Sequence, residues 1–297
     1  MRILDSNEYI NEKLVIKPVT RDRLSKMKED IFVDENARLF IEKNNLVWNP
    51  KTMSYDCDGD VKVSSDIVID GKLKIRFGKV GGDFLCSDNN LTTLEGAPNE
   101  VGGCFYCDKN NLTTLEGAPN EVGGIFGCSH NNLTTLEGAP NMIGEGFYCN
   151  GNNLTSLEGA PNEVVGDFYC NFNNLTTLEG APKKVSKNFF CYNNKLTTLE
   201  GAPKKVGGYF DCSINNLTTL EGAPQKVGWG FNCSHNKLVT LDGAPKEVGR
   251  EFDCNDNQLT TLKGAPQKVG GNFNCSDNPN LVLPEEKPNW VKGNIIS

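Results

Sequence analysis

The sequence is poor in the residues and segments from which many catalytic centres and membrane anchors are built. It contains only two histidines, His130 and His235, and no apolar run approaches the ~18 residues that a membrane-spanning helix needs. A basic start followed by a short apolar stretch, as in a secretory leader, is also missing. We therefore expect a cytoplasmic protein without a membrane anchor.

Positive charge is also scarce. Thirty Lys and Arg stand against 38 Asp and Glu, which gives a formal net charge of -8 at pH 7. Proteins that bind nucleic acids or anionic membranes neutralise phosphates with clustered Lys and Arg. The composition therefore predicts partners that are neither nucleic acids nor membrane surfaces.

The sequence is rich in one motif, which recurs at an interval of 21 residues without an insertion. A leucine recurs from Leu91 to Leu259, a phenylalanine from Phe84 to Phe273, and a cysteine from Cys86 to Cys275. A period of 20 to 50 residues is typical of a solenoid, a propeller or an array. Because such an array grows along one axis, we expect one elongated unit rather than two globular domains.

The spacing within one coil indicates how the chain turns. Counted from Gly81 as position 1, the repeated Phe, Cys, Asn and Leu fall at positions 4, 6, 9 and 11. These are the apolar and Asn positions of the leucine-rich-repeat pattern. Phe and Cys, two residues apart, point to the same side of a short strand. The Asn is expected to satisfy backbone groups after the strand, and Gly-Ala-Pro to turn the chain back.

The chain thus resembles leucine-rich-repeat proteins over about residues 80–283. The short period and the Leu-x-x-Leu-x-x-x-Pro motif are similar to those of the repeats in bacterial secreted effectors. The Leu-x-Gly-Ala-Pro motif is similar to repeats of bacteriophage and bacterial proteins. The resemblance implies a mostly β solenoid with a parallel concave sheet and an extended, turn-rich convex side. Cys stands where the pattern has Leu, and no segment matches the ubiquitin-ligase module of some effectors, so ligase activity is not expected.

The two ends of the chain are interpreted as caps. Residues 1–79 are predicted to form an N-terminal helical and β cap with a degenerate first coil, residues 80–283 about ten coils, and residues 284–297 a C-terminal cap. Helices are expected from Thr20 and over Asn36 to Lys43. Tyr55-Asp56-Cys57 is interpreted as a decayed Phe-x-Cys. The alternative for the N-terminal helices is an interaction role.

The remaining candidates for chemistry have structural interpretations. Ten of the twelve cysteines share one inward position, so reduced, buried thiols are favoured over disulfides or a metal site; Cys104, at an outward position, is the exception. At about 4.8 Å per coil, His130 and His235 lie roughly 24 Å apart and cannot share a site. A calcium-binding ladder of repeated Glu and an ice-binding face of paired Thr are weaker alternatives. We predict no catalytic residue, no metal and no cofactor.

The outward positions differ between coils. Aromatic residues cluster there in the middle of the array and give way at Asp211 to a series of Asp and Asn. The predicted partner-binding residues are Tyr106, Tyr148, Tyr169, Phe190, Phe172, Tyr192 and Tyr209. Grouped exposed aromatics are typical of interface centres, whereas the alternative is that stacked rings only stabilise the ladder.

A second variable stripe follows the repeated Pro. It changes from acidic, as at Glu100 and Glu121, to mostly basic, as at Lys184 and Lys205, and could orient an approaching protein. The sequence therefore predicts a monomeric, non-catalytic solenoid that binds a protein. The alternatives are a structural or self-assembling protein and, third, an enzyme. The likeness of the repeats to phage proteins implies a host protein as the partner and the host cytoplasm as the location.

Overall fold

The computed structural model describes residues 34–297, so the helix predicted from Thr20 lies outside the described residues. Within them the chain forms a leucine-rich-repeat solenoid, mostly β, with an α-helix near its N-terminal end. The predicted fold class is confirmed.

One parallel sheet of twelve strands runs along the solenoid and is called the long sheet. Neighbouring strands pair in register, Phe to Phe, as Phe168 does with Phe189. Phe and Cys point inward and the residue between them points outward, as the two-residue period requires. Its strands are Val61–Lys62, Phe84–Leu85, Phe105–Tyr106, Phe126–Gly127, Phe147–Tyr148, Phe168–Tyr169, Phe189–Phe190, Phe210–Asp211, Phe231–Asn232, Phe252–Asp253, Phe273–Asn274 and Ile295–Ile296.

The segments after the repeated Pro, predicted to be extended, form short strands, and with three strands of the N-terminal end they make two six-stranded sheets. The first sheet contains Val47–Asn49, Ser54–Cys57, Phe77–Val80, Glu100–Val101, Glu121–Val122 and Met142–Ile143. The second contains Glu163–Val164, Lys184–Val185, Lys205–Val206, Lys226–Val227, Glu247–Val248 and Lys268–Val269.

The break between these two sheets coincides with a change of residue. Most coils have Gly at position 1, where an added Cβ would collide with the carbonyl oxygen of the coil before, as at Gly144 against Gly123. Val165 occupies this position in the next coil. Pairing resumes one coil later, where Ser186 N donates to Val164 O at 3.0 Å, although Ser186 also carries a Cβ at position 1. The break therefore coincides with the larger, β-branched valine and not with every residue other than glycine.

The core is a column of stacked phenylalanines. The rings of the ten repeated Phe follow one another at 5.2–5.6 Å between centroids, with interplanar angles of 5–28°. Each end of the column is covered edge-on: Phe77 lies 5.0 Å from Phe84 at 73°, and Trp290 lies 5.1 Å from Phe273 at 81°. The stack therefore ends against the terminal segments on both sides.

The repeated Asn joins each coil to its neighbour, as predicted. Asn194 is buried, its amide donates to the carbonyls of Cys170 and Cys191 at 3.1 and 3.0 Å, and its oxygen accepts from Leu175 N at 3.1 Å. One side chain thus satisfies backbone groups of two coils, which water cannot reach.

The N-terminal end follows the prediction in one part and departs from it in another. The helix expected over Asn36 to Lys43 is confirmed as Glu35–Lys43, with Asp34 accepting from Ala37 N at its start. A 3-10 turn, Ser65–Ile67, and an antiparallel pair, Val68–Ile69 with Lys72–Leu73, complete this end.

The interpretation of Tyr55-Asp56-Cys57 as a decayed Phe-x-Cys is wrong. The strand Ser54–Cys57 pairs with Phe77–Val80 on the other face, whereas Val61 pairs with Phe84 in the long sheet. Val61 and Val63 are the buried pair. Small β-branched side chains fill the place of Phe and Cys there, so residue type alone misassigned the coil. The boundaries at 79/80 and 283/284 stay predictions.

Candidate functional site

Three aromatic side chains form a continuous line on the outward face of the long sheet, called the aromatic strip: Tyr148, Tyr169 and Phe190. Each is the second residue of its strand, and each strand pairs with the next in register. The ring centroids are 4.7 and 4.9 Å apart, with tilts of 33°. All three are half-buried, because each ring shields its neighbour while its edge stays open to water.

Two further rings meet the end of the strip and form, with Phe190, the aromatic corner: Phe172, Phe190 and Tyr192. Tyr192 stands nearly perpendicular to both, at 80° and 6.3 Å from Phe190 and at 78° and 5.3 Å from Phe172. Phe172 lies in the turn after its strand at a φ of 54° and is 47% exposed. The corner therefore consists of rings that meet at nearly right angles, with Phe172 exposed to solvent.

The other two predicted residues lie apart from the strip and the corner. Tyr106 is separated from Tyr148 by Gly127, and its ring covers that glycine, where an added Cβ would lie 2.6 Å from Tyr106 Cδ1. Tyr209 lies at the other edge of the strand, and its hydroxyl donates to Glu251. The predicted patch is thus contiguous in five of its seven members, while their binding of a partner stays a prediction.

Tyr209 belongs to a second aromatic cluster that the sequence did not reveal. Its ring packs at 84° and 5.8 Å against Trp229, which is 44% exposed. The Arg250 guanidinium lies 4.8 Å from the Trp229 ring centroid, in cation–π geometry. The sequence nevertheless carries a signal that could have indicated this cluster, because Trp229 occupies position 2, where most coils have Gly.

Carboxylates flank the strip. Burial, followed by the negative charge of Asp167, raises the pKa of Tyr148 to about 12, with Glu145 adding to it. Asp211 lies directly beside Phe190 in the next strand. Burial raises the pKa of Asp211, although hydrogen bonds from Ser213 act in the opposite direction. The face is therefore both aromatic and acidic.

The histidines and cysteines do not assemble into a reactive site. His235 Nδ1 lies 2.5 Å from Asp256 Oδ2, while His130 lies over Gly151. Between residues 34 and 297 no group of three His, Cys, Asp or Glu is placed to hold a metal ion.

The ladder thiols are free and buried, and burial raises their pKa, as at Cys191. Cys191 Sγ donates to Asp211 O at 3.3 Å. Cys104 and Cys107 have the C-x-x-C spacing of many metal and redox sites, but Cys107 faces the core while Cys104 faces outward and is partly exposed. Their thiols therefore do not converge.

The charged ridge after the Pro pairs its own charges across coils. Glu163 and Lys184 meet at 3.4 Å where the ridge changes sign, and Lys226 and Glu247 meet at 2.7 Å. Mutual neutralisation of exposed charges is an ordinary property of a solvated face. The ridge is therefore a weaker candidate than the aromatic strip.

Comparison with known proteins adds a structural likeness. No protein-family model matches the chain, and no curated protein matches it. Among solved structures it is similar to YopM from Yersinia enterocolitica WA-314, with 21% sequence identity and a TM-score of 0.49 over 72% of this chain. The chain spans about half the length of that protein, 55%. Across the described part of the chain, no helix is long and apolar enough to cross a membrane.

Proposed function

We propose that this protein is a non-catalytic solenoid that binds another protein on the aromatic strip and corner. The observation that carries the proposal is the position of these rings. Tyr148, Tyr169 and Phe190 stand at an outward position that Asn232, Asp253 and Asn274 fill further along, and the core Phe beneath both sets is equally buried. The frame does not require aromatic residues there.

The physical chemistry of the strip favours docking. Half-buried rings still expose apolar edges, and removing that surface from water contributes roughly 25 cal/mol per Å² before the costs of association are subtracted. Large rigid rings lose little conformational entropy when they are covered, which is why Tyr and Trp are enriched at interface centres.

The capped ends of the molecule favour a protein partner over self-assembly by stacking. Another copy added end to end would need an open ring face on the phenylalanine column, but Phe77 and Trp290 cover both faces edge-on. End-to-end stacking on the column is therefore disfavoured, which is consistent with the monomer that we propose. The likeness of the repeats to phage and bacterial proteins supports a host protein, met in the host cytoplasm, as the partner.

The test is a triple substitution with a matched control. The variant Tyr148→Ser/Tyr169→Ser/Phe190→Ser removes the strip, and Asn232→Ser/Asp253→Ser/Asn274→Ser makes the same number of changes at the same outward position. Both are used as bait in lysate from the native host, after circular dichroism has shown that they fold. Captured proteins are quantified by mass spectrometry, and their affinities are then measured with purified components.

We expect the strip variant to lose the partner and the control to keep it. Hot-spot truncations each weaken binding by about 2 kcal/mol or more, so the triple variant should bind at least ~100-fold more weakly. Retention of every partner by the folded strip variant would refute the proposal.

A further inference from the structure

We infer that the partner inserts a cationic side chain, an arginine in the first place, into the aromatic corner beside Asp211, and that the docked segment is basic. This inference rests on the proposed function and adds the chemistry of the partner to it. Three features of the described residues support it: the geometry of the rings, the unneutralised charge, and a filled copy of the same arrangement elsewhere in the molecule.

The ring geometry suits a planar cation. Tyr192 stands at 80° to Phe190 and at 78° to Phe172, so ring faces and ring edges meet at one place on the surface. An aromatic face is negative, and it attracts an ammonium or guanidinium group within about 6 Å of its centroid. Asp211 lies directly beyond Phe190, its Cα partner in the next strand, at the side where the aromatic strip ends.

The charges on this face are negative and lack an internal cation. Asp211, Asp167 and Glu145 take part in no ion pair among residues 34–297. The ion pairs found there are Lys72 with Glu95, Lys74 with Asp34, Lys79 with Glu100, Lys184 with Glu163, Lys226 with Glu247, His235 with Asp256, and Lys263 with Asp242. Because burial deprives Asp211 of part of its hydration, a cation placed beside it would gain more than at a solvated carboxylate.

The second aromatic cluster shows what fills such an arrangement. Tyr209 and Trp229 also stand perpendicular, at 84°, and a carboxylate, Glu251, accepts from the tyrosine hydroxyl. There the chain supplies its own cation, since the Arg250 guanidinium lies 4.8 Å from the Trp229 ring centroid. The aromatic corner has a similar perpendicular pair and a neighbouring carboxylate but no arginine, and its carboxylate, Asp211, accepts from Ser213 and Asn232 instead of from a tyrosine. The missing component is therefore expected from the partner.

The experiment uses defined peptides as probes. Fluorescein-labelled peptides of alternating Gly-Arg, Gly-Lys, Gly-Gln and Gly-Glu are titrated with the full-length protein, and binding is followed by fluorescence anisotropy at low ionic strength, where charge attraction is least screened. We expect Gly-Arg to bind most tightly, Gly-Lys less tightly, and the neutral and acidic peptides not to bind measurably.

The informative variant is Asp211→Asn, with Asp253→Asn as its matched control. Asn is a natural occupant of this repeat position: Asn232 accepts from Ser234 N at 3.0 Å, as Asp211 accepts from Ser213 N at 2.9 Å, so the backbone turn should persist. Both variants remove one negative charge, but only Asp211 borders the aromatic corner. We expect Asp211→Asn to weaken Gly-Arg binding about tenfold or more, as for the loss of a charged hydrogen bond, and Asp253→Asn to change it about twofold or less.

A further variant tests the contribution of the Tyr192 ring to binding separately from that of the Asp211 charge. Tyr192→Leu keeps an apolar side chain but removes the π face, and we expect it to weaken Gly-Arg binding about threefold to tenfold. Equal weakening by Asp211→Asn and Asp253→Asn would show a general attraction of this acidic chain for polycations and would overturn the inference. Absence of Gly-Arg binding to the wild type, or equal binding of Gly-Gln, would also overturn it. The proposed function would survive those results, because it fails only when the triple strip variant keeps its partners.

Discussion

The coils around Tyr169 and the coils around Asp253 share one frame and present different outward faces. In both regions the inward Phe and Cys are fully buried, as are Leu175 and Leu259, and the strands pair in the same register. Outward, the first region carries stacked aromatic rings. The second carries Asp and Asn side chains that accept from the backbone two residues further on, as Asp253 does from Asn255 N at 3.1 Å.

The difference shows that the frame leaves the outward position free. A polar side chain there serves its own turn locally, whereas an aromatic side chain leaves that turn without this bond and contacts rings of other coils instead. The aromatic region therefore lacks a local hydrogen bond that the polar region makes. Such a departure is expected where a surface also has a function.

The largest effect should come from a core truncation made in both regions. Leu178→Ala and Leu241→Ala remove fully buried side chains, and each should reduce the free energy of unfolding by about 2–5 kcal/mol through lost burial and a cavity. Leu262→Ala, at the last of the repeated leucines and in the coil of Asp253, should cost less, because this leucine is only partly buried. Denaturant unfolding measures all three, and a clear difference between Leu178 and Leu241 would mean that the two regions do not share one frame.

The next effect tests the asparagine ladder. Asn194→Ala and Asn257→Ala remove equivalent hydrogen bonds, since Asn257 donates to the carbonyls of Cys233 and Cys254 and accepts from Leu238 N at 3.1, 3.2 and 3.0 Å. Each leaves buried backbone groups without partners, so each should reduce the free energy of unfolding by about 1–3 kcal/mol. Thermal unfolding followed by circular dichroism checks both, and a loss at one site alone would break the equivalence.

A smaller effect should separate the two regions. Tyr169→Ser removes ring contacts on both sides, and we expect a loss of about 0.5–1.5 kcal/mol in unfolding free energy. Asp253→Ser should stay within about 0.5 kcal/mol, because a serine hydroxyl can accept from the Asn255 amide in place of the carboxylate. A loss above about 3 kcal/mol for Tyr169→Ser would show that the rings are part of the frame, which favours a purely structural role.

A further effect is expected at alkaline pH, where the tyrosines of the aromatic region add to the loss of stability that the buried ladder thiols, whose pKa is also raised, cause in both regions. Burial raises the pKa of Tyr106 and Tyr148 from 10.0 to about 12. The unfolded chain therefore releases these protons at lower pH than the folded chain, and stability should fall as pH rises between about 10 and about 12. Phenolate absorbance of the wild type and of Tyr148→Phe checks this, and a Tyr148 transition at the ordinary value would contradict it.

The smallest effect on the fold should come from alkylating Cys104. Its side chain is partly exposed, whereas Cys57 and the ten ladder thiols are buried and burial raises the pKa of the ladder thiols, as at Cys107 and Cys233. Iodoacetamide should label native protein at Cys104 and leave the circular dichroism spectrum unchanged, while Cys104→Ser should stay unlabelled. Rapid labelling of several ladder cysteines, identified by mass spectrometry, would contradict the shared frame.

Much of the aromatic site could be read from repeat positions, and the rest could not. The alternation of a strand puts Tyr148, Tyr169 and Phe190 outward in one line, which follows from the 21-residue register alone. The same reasoning grouped Tyr209 with them, although its ring packs on Trp229 instead. Which ring a side chain contacts depends on its rotamer and on the space that neighbouring glycines, such as Gly127 and Gly230, leave for it. Neither the rotamer nor this space follows from periodicity.

Repetition determined the strand register, the buried columns and the asparagine ladder, because each coil can bury its apolar side only against an identical neighbour. The tertiary structure alone decided where that repetition fails: the break beside Val165, the use of Val61 and Val63 in the first coil, and the covering of the column by Phe77 and Trp290. It also decided that the corner at Tyr192 lacks the cation that Arg250 supplies to Trp229. These features depend on contacts between residues of different coils and of the two ends, which a residue's place in its own repeat does not encode.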